Sequence, residues 1–91
     1  MKEYRCRTGP KAEGRAVHVL AEPFNGGNAY YLASQVEGGH PDVSGGVLSI
    51  KVNGDVVVTL NPSDWLVKKI GEDGVYVKEG EEFLHNYILV E

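Results

Sequence analysis

Asn53-Gly54 is the feature that most restricts how this chain can fold. It separates two β-rich runs, Val47–Val52 and Asp55–Leu60, and an Asn-Gly pair readily adopts the positive φ angles of a two-residue hairpin turn. The two runs are therefore expected to pair as antiparallel neighbours. A two-residue turn sets Val52 opposite Asp55, Lys51 opposite Val56 and Ile50 opposite Val57; a bulge or a longer loop would shift that pairing. Each face of the ribbon then carries a mixture of apolar and polar side chains.

Further turn signals divide the rest of the chain. Asn61-Pro62-Ser63-Asp64 reverses direction, because Pro presets the turn dihedral and Asp can accept from its own backbone. Trp65 then opens a strand over 65–70, Gly71-Glu72-Asp73-Gly74 forms a tight turn, and Val75–Lys78 is the partner strand. Residues 81–87 read as a helical turn that stacks Phe83 on Tyr87 at a spacing of i, i+4, and Ile88-Leu89-Val90 closes as a strand or extended tail. Upstream, 16–20 is β-branched enough for a first strand. In 28–37 the apolar residues Ala29, Leu32, Ala33 and Val36 line one side of a short helix, with Asn28 as N-cap and Gly38 at C′. Residues 38–46 read as a loop, and residues 1–15, polar and without a period, as a flexible lead-in.

With 91 residues the chain makes one domain and buries about 60–65% of its unfolded surface. The expectation is an α+β domain over 16–91: a twisted, mostly antiparallel sheet of four to five strands with one short helix packed on it. No apolar run reaches the roughly 20 residues needed to span a bilayer, and the first residues lack the apolar stretch of a signal peptide, so a cytoplasmic location is expected. The single cysteine, Cys6, excludes an internal disulfide and a cysteine-rich zinc site.

Net charge is −4, and residues 46–91 hold all of the acidic excess. The basic residues cluster only in Lys2, Arg5, Arg7, Lys11 and Arg15, without the stripe that displaces counterions from nucleic acid. Direct nucleic-acid binding is therefore not expected. His18, His40 and His85 lack the spacing that brings two metal ligands together, and neither Ser44 nor Ser63 lies in a nucleophile elbow. The paired glycines do not form a phosphate-cradling motif. No catalytic residue, metal or cofactor is assigned, and the chain reads as a protein other than an enzyme.

Trp65, Tyr76, Phe83 and Tyr87 are expected in the core, since a domain with one Trp and two Phe needs them inside. Tyr30 and Tyr31 are adjacent on a short helix and cannot both face a sheet, so at least one is exposed as a contact surface.

The Pro62-Ser63-Asp64-Trp65 turn, the strand Leu66-Val67-Lys68, Gly74-Val75-Tyr76 and the Phe83/Tyr87 pair, with Tyr4-Arg5 near the start, resemble a group of small phage and prophage proteins with a Pro-Gly-Asp-Trp-like turn. Ser63 stands where that group usually has Gly, and residues 6–15 depart from its continuation into the first strand. The resemblance spans about residues 47–90. It implies an α+β fold, a phage origin and a bacterial host cytoplasm, and it carries no assigned activity.

The favoured expectation is a small phage accessory protein that binds a host or phage protein, for instance as an inhibitor of a host factor or defence complex. Glu72, Asp73, Glu79, Glu81 and Glu82 would form its acidic face and Tyr30 and Tyr31 its apolar anchor. The alternative is a small-molecule or nucleotide binder with a pocket between the 38–46 loop and the sheet, using His40 and Asp42. A homodimer through sheet edges is compatible with either.

Overall fold

The hairpin forms at Asn53-Gly54, with φ of 53° and 85° at the two turn residues, the double positive φ of a type I′ turn. The computed structural model describes residues 1–6, 18–72 and 74–90. In chain order these give β1 Lys2–Cys6, β2 His18–Pro23, α1 Ala29–Ala33, β3 His40–Ser44, β4 Val47–Val52, β5 Asp55–Leu60, β6 Trp65–Lys69, β7 Val75–Lys78, α2 Gly80–Asn86 and β8 Tyr87–Leu89. All pairings are antiparallel, in a five-stranded sheet ordered β7-β6-β2-β1-β8 and a three-stranded sheet ordered β3-β4-β5. The fold is α+β, and the second sheet adds to the single sheet of four to five strands that the sequence predicts.

Two segments differ from expectation. Residues 2–6, placed by sequence in a flexible lead-in, are β1, which pairs with β2 on one side and β8 on the other. Its alternation hides it: Tyr4 joins an aromatic cluster on one face, while Glu3 and Arg5 point to the other. Only one large apolar side chain marks the strand. Residues 7–17 of the expected lead-in and first strand lie outside the described residues.

Residues 40–44, expected as part of a loop, are the edge strand β3. An edge strand satisfies its backbone on one side only, so it tolerates Pro41 and a mostly exposed set of side chains. Gly45-Gly46, with φ of 59° and 80°, is a second two-residue turn, joining Ser44 to its partner Val47. At the first hairpin Val52 faces Asp55 and Lys51 faces Val56 as expected, but Ile50 then faces Val58. Val57 is left as a bulge residue, which puts Ile50, Val58, Leu48 and Leu60 on one buried face.

Helix α1 is shorter than predicted, because the chain after Ala33 tightens into i→i+3 turns: Gln35 N–H donates to Leu32 O, and Val36 N–H to Ala33 O. Asn28 is the N-cap residue, yet its side chain serves the preceding loop. Its Oδ1 accepts from Asn25 N–H at 3.0 Å and its Nδ2 donates to Pro23 O at 2.9 Å. Gly39 closes this region against β4, and a Cβ there would lie 2.6 Å from Ala33 O.

At the start of β6 the five-stranded sheet is buried on both faces, which explains the uninterrupted apolar run Trp65-Leu66-Val67. Leu66 packs with Phe24, Leu32, Leu48, Ile50 and Leu60, the core shared with α1 and the three-stranded sheet. Trp65 and Val67 point the other way and pack with Val19, Ala21 and Phe83 of α2. Phe83 is fully buried, stacked between Trp65 at 4.2 Å and Tyr87 at 4.6 Å, with the Tyr4 ring edge-on at 5.0 Å.

Candidate functional site

The five-stranded sheet cannot be flat. Its outer strands β7 and β8 are four strand spacings apart, which in a flat sheet is about 19 Å. Tyr76 of β7 and Tyr87 of β8 nevertheless line one cavity. The sheet therefore curls until its two edges approach, with Trp65, Phe83 and Tyr4 filling the concave side and α2 bridging from one edge to the other.

Beside that aromatic filling a cavity of about 570 Å³ remains, lined by Cys6, Lys69, Glu72, Gly74, Val75, Tyr76, Lys78 and Tyr87. Strand alternation delivers Cys6, Lys69, Tyr76, Lys78 and Tyr87 to one side, while Val75, next to Tyr76, packs against the core on the other face. Cys6 and Tyr87 are cross-strand partners, Tyr76 and Lys78 are two residues apart on β7, and Lys69 lies two residues beyond Val67 on β6. Tyr76, Lys78, Tyr87 and Cys6 are half-buried, whereas Lys69 and Glu72 stand exposed at the mouth.

Burial pushes the Tyr76 phenol well above the ordinary tyrosine range near 10, and the neighbouring Tyr87 and Glu72 side chains push it further. Tyr76 therefore stays neutral beside Tyr87 in the cavity wall. Lys78 Nζ lies 5.9 Å from the Tyr76 ring centroid and 3.4 Å from Glu82 Oε1, longer than a strong charge-assisted hydrogen bond. Lys69 has no ion-pair partner among the described residues.

The residues singled out from sequence do not share one place. Glu72 is in the cavity wall, and Asp73 lies outside the described residues. Glu79, Glu81 and Glu82 surround the N-terminus of α2, where negative charge favours the helix, and Glu82 is the partner of Lys78. Tyr30 and Tyr31 both stay at the surface, 83% and 43% exposed, and the Met1 ammonium donates to the Tyr31 hydroxyl. His40 and Asp42 lie on the side of β3 that faces away from Leu48 and Ile50, with Asp42 2.9 Å from Lys51. Because 40–44 is a strand of the sheet, the gap expected between a loop and the sheet is closed there by ladder pairing.

Sequence reasoning did not assemble Cys6, Lys69, Lys78, Tyr76 and Tyr87. The period-two placement of Tyr76 and Lys78 is visible in the sequence. Their meeting with Cys6 and Tyr87 depends on the pairing of the first described strand with the last. Among the described residues no group of three or more His, Cys, Asp or Glu is placed to hold a metal ion, and no helix is long and apolar enough to cross a membrane. Comparisons with protein-family models, curated proteins and solved structures return no match.

Proposed function

We propose that this protein is a non-catalytic binding module that takes a small molecule into the cavity between β7, β6 and β8. What carries this reading is the cavity itself. Its volume lies within the range of small-molecule sites, about 300–1,000 Å³, and it combines aromatic walls with a few convergent polar groups. The ligand class is the one expected from sequence as an alternative, moved from the 38–46 segment to the concave face. Mapping amide chemical shifts during a small-molecule screen tests it. Binders should perturb Cys6, Lys69, Gly74, Val75, Tyr76, Lys78 and Tyr87. Binders that perturb only residues 40–44, or a screen without binders, would overturn it.

A second reading, recognition of a host or phage protein, is favoured by Tyr30, whose ring is 83% exposed beside the half-open Tyr31. Ser63, at φ 73°, occupies a conformation that glycine adopts without strain, and the resembled group usually carries Gly there. The test is partner capture at low and high salt with Tyr30→Ser and with Glu79→Lys/Glu81→Lys. Glu82 is left intact because it pairs with Lys78. Capture that survives both variants would refute these surfaces.

A further inference from the structure

We infer that the cavity takes a small organic anion, a carboxylate or phosphate head on an apolar or aromatic body, with Lys78 and the Tyr76–Tyr87 phenol pair at the head group. The inference rests on the cavity reading above and names its ligand class. Of the half-buried groups that line the cavity, Cys6, Val75, Tyr76, Lys78 and Tyr87, only Lys78 carries a fixed charge, and it is positive. Glu72 at the mouth and Glu82, the partner of Lys78 on α2, are both exposed, where solvent screens them.

The phenols add to this preference. Both phenols line the cavity, and a phenol proton can be donated to a ligand acceptor. An oxyanion can accept it and the Lys78 ammonium together; a cation can accept neither. Lys69, exposed and without an ion-pair partner among the described residues, adds a second positive charge at the mouth. The apolar body of the ligand would lie on the tyrosine rings.

Cys6 supplies the readout, being the only thiol in the chain and part of the cavity wall. Alkylation by iodoacetamide, a neutral reagent, is followed by intact mass in the presence of 3-phenylpropionate, phenyl phosphate or the neutral 3-phenylpropionamide. Either anion should slow alkylation in proportion to occupancy, while the amide protects about tenfold more weakly or less. Lys78→Gln should weaken protection by the anion about tenfold or more and leave protection by the amide unchanged. Protection by one anion alone supports the inference and identifies the head group. Equal protection by acid and amide, or protection unchanged in Lys78→Gln, overturns the anion assignment and leaves the cavity reading standing. Amide-shift mapping with the same probes separates the remaining case: no protection and no shift in the cavity residues overturns both.

Discussion

Replacing Phe83 with alanine removes the side chain on which the concave side of the five-stranded sheet is assembled. Phe83 is the one buried residue of the seven-residue helix α2, and its ring contacts those of Trp65, Tyr87 and Tyr4 at 4.2, 4.6 and 5.0 Å. Truncation of a buried Phe costs about 3–5 kcal/mol, and aromatic pairs contribute about 0.5–1.5 kcal/mol beyond the area they bury. Phe83 is the apolar anchor of α2, whose other contacts are the exposed Lys78–Glu82 pair and the approach of Gly80 to Ser63, so the upper part of that range, about 4–5 kcal/mol, is expected for Phe83→Ala. A 91-residue domain has roughly 5–14 kcal/mol in total. The melting temperature should therefore fall by at least about 16 °C at 4–8 °C per kcal/mol.

Phe83→Leu isolates the ring contribution, because it keeps an apolar side chain of similar reach and loses the stacking; about 1–2 kcal/mol is expected. Urea unfolding followed by the fluorescence of Trp65, the only tryptophan in the chain, measures both variants and reports from a ring in direct contact with residue 83. Loss of less than about 1.5 kcal/mol in Phe83→Ala would refute the reasoning. So would equal losses in the two variants, since stacking and burial would then not be the separate contributions assumed.

Ser63 has φ 73° in the turn after Pro62, a region costing a non-glycine residue about 1–2 kcal/mol, while glycine brings an extra unfolded-state entropy of about 0.5–1 kcal/mol. Ser63→Gly should raise stability by up to about 1 kcal/mol, read as a higher guanidinium midpoint at unchanged slope; a lower midpoint would show that the Ser63 side chain makes a net favourable contribution. Tyr76 and Tyr4 both titrate above their unfolded value near 10. The native state then keeps protons that the unfolded chain loses, so stability is level below about pH 10 and falls as pH rises beyond it. Tyr76→Phe should make that alkaline decline shallower, and an unchanged decline in thermal melts across the alkaline range would show that Tyr76 does not contribute to it.

The elements legible in the sequence are those fixed by local chemistry. Asn53-Gly54 and the Asn61–Asp64 turn, where Asp64 accepts from Asn61 N–H at 2.9 Å, depend on residues within reach of one another. The Phe83–Tyr87 stack likewise follows from helical spacing, with interplanar angle 9°. Strands β1 and β3 escape for a different reason. Hydrophobic period reports a buried face, and each of these strands shows little of one: β1 offers Tyr4 between charged neighbours, and β3 is an exposed edge. Their place is set by backbone pairing, β1 with residues 87–89 far along the chain and β3 with the apolar strand β4 across the Gly45-Gly46 turn. The Gly45-Gly46 turn is a local signal that was there to be read, since two glycines between extended runs favour a hairpin.

The cavity lies beyond sequence reading for the same reason as β1, and its position follows from the packing that holds the fold. Tyr87 stacks one face on Phe83 and lines the cavity with Tyr76, so the side chain that completes the aromatic core also forms a wall of the site. Curling brings β7 and β8 together, and the space between the aromatic filling and the Lys69, Lys78 and Cys6 side chains is the part that the filling does not reach. A ligand bound to Lys78 and the phenol pair would bridge the two edges of the same sheet. Occupancy and closure of the sheet are thereby linked: a ligand present at a hundred times its dissociation constant adds about 2.7 kcal/mol to the native state, and anything that loosens Phe83 must weaken binding by opening the wall that Tyr87 provides.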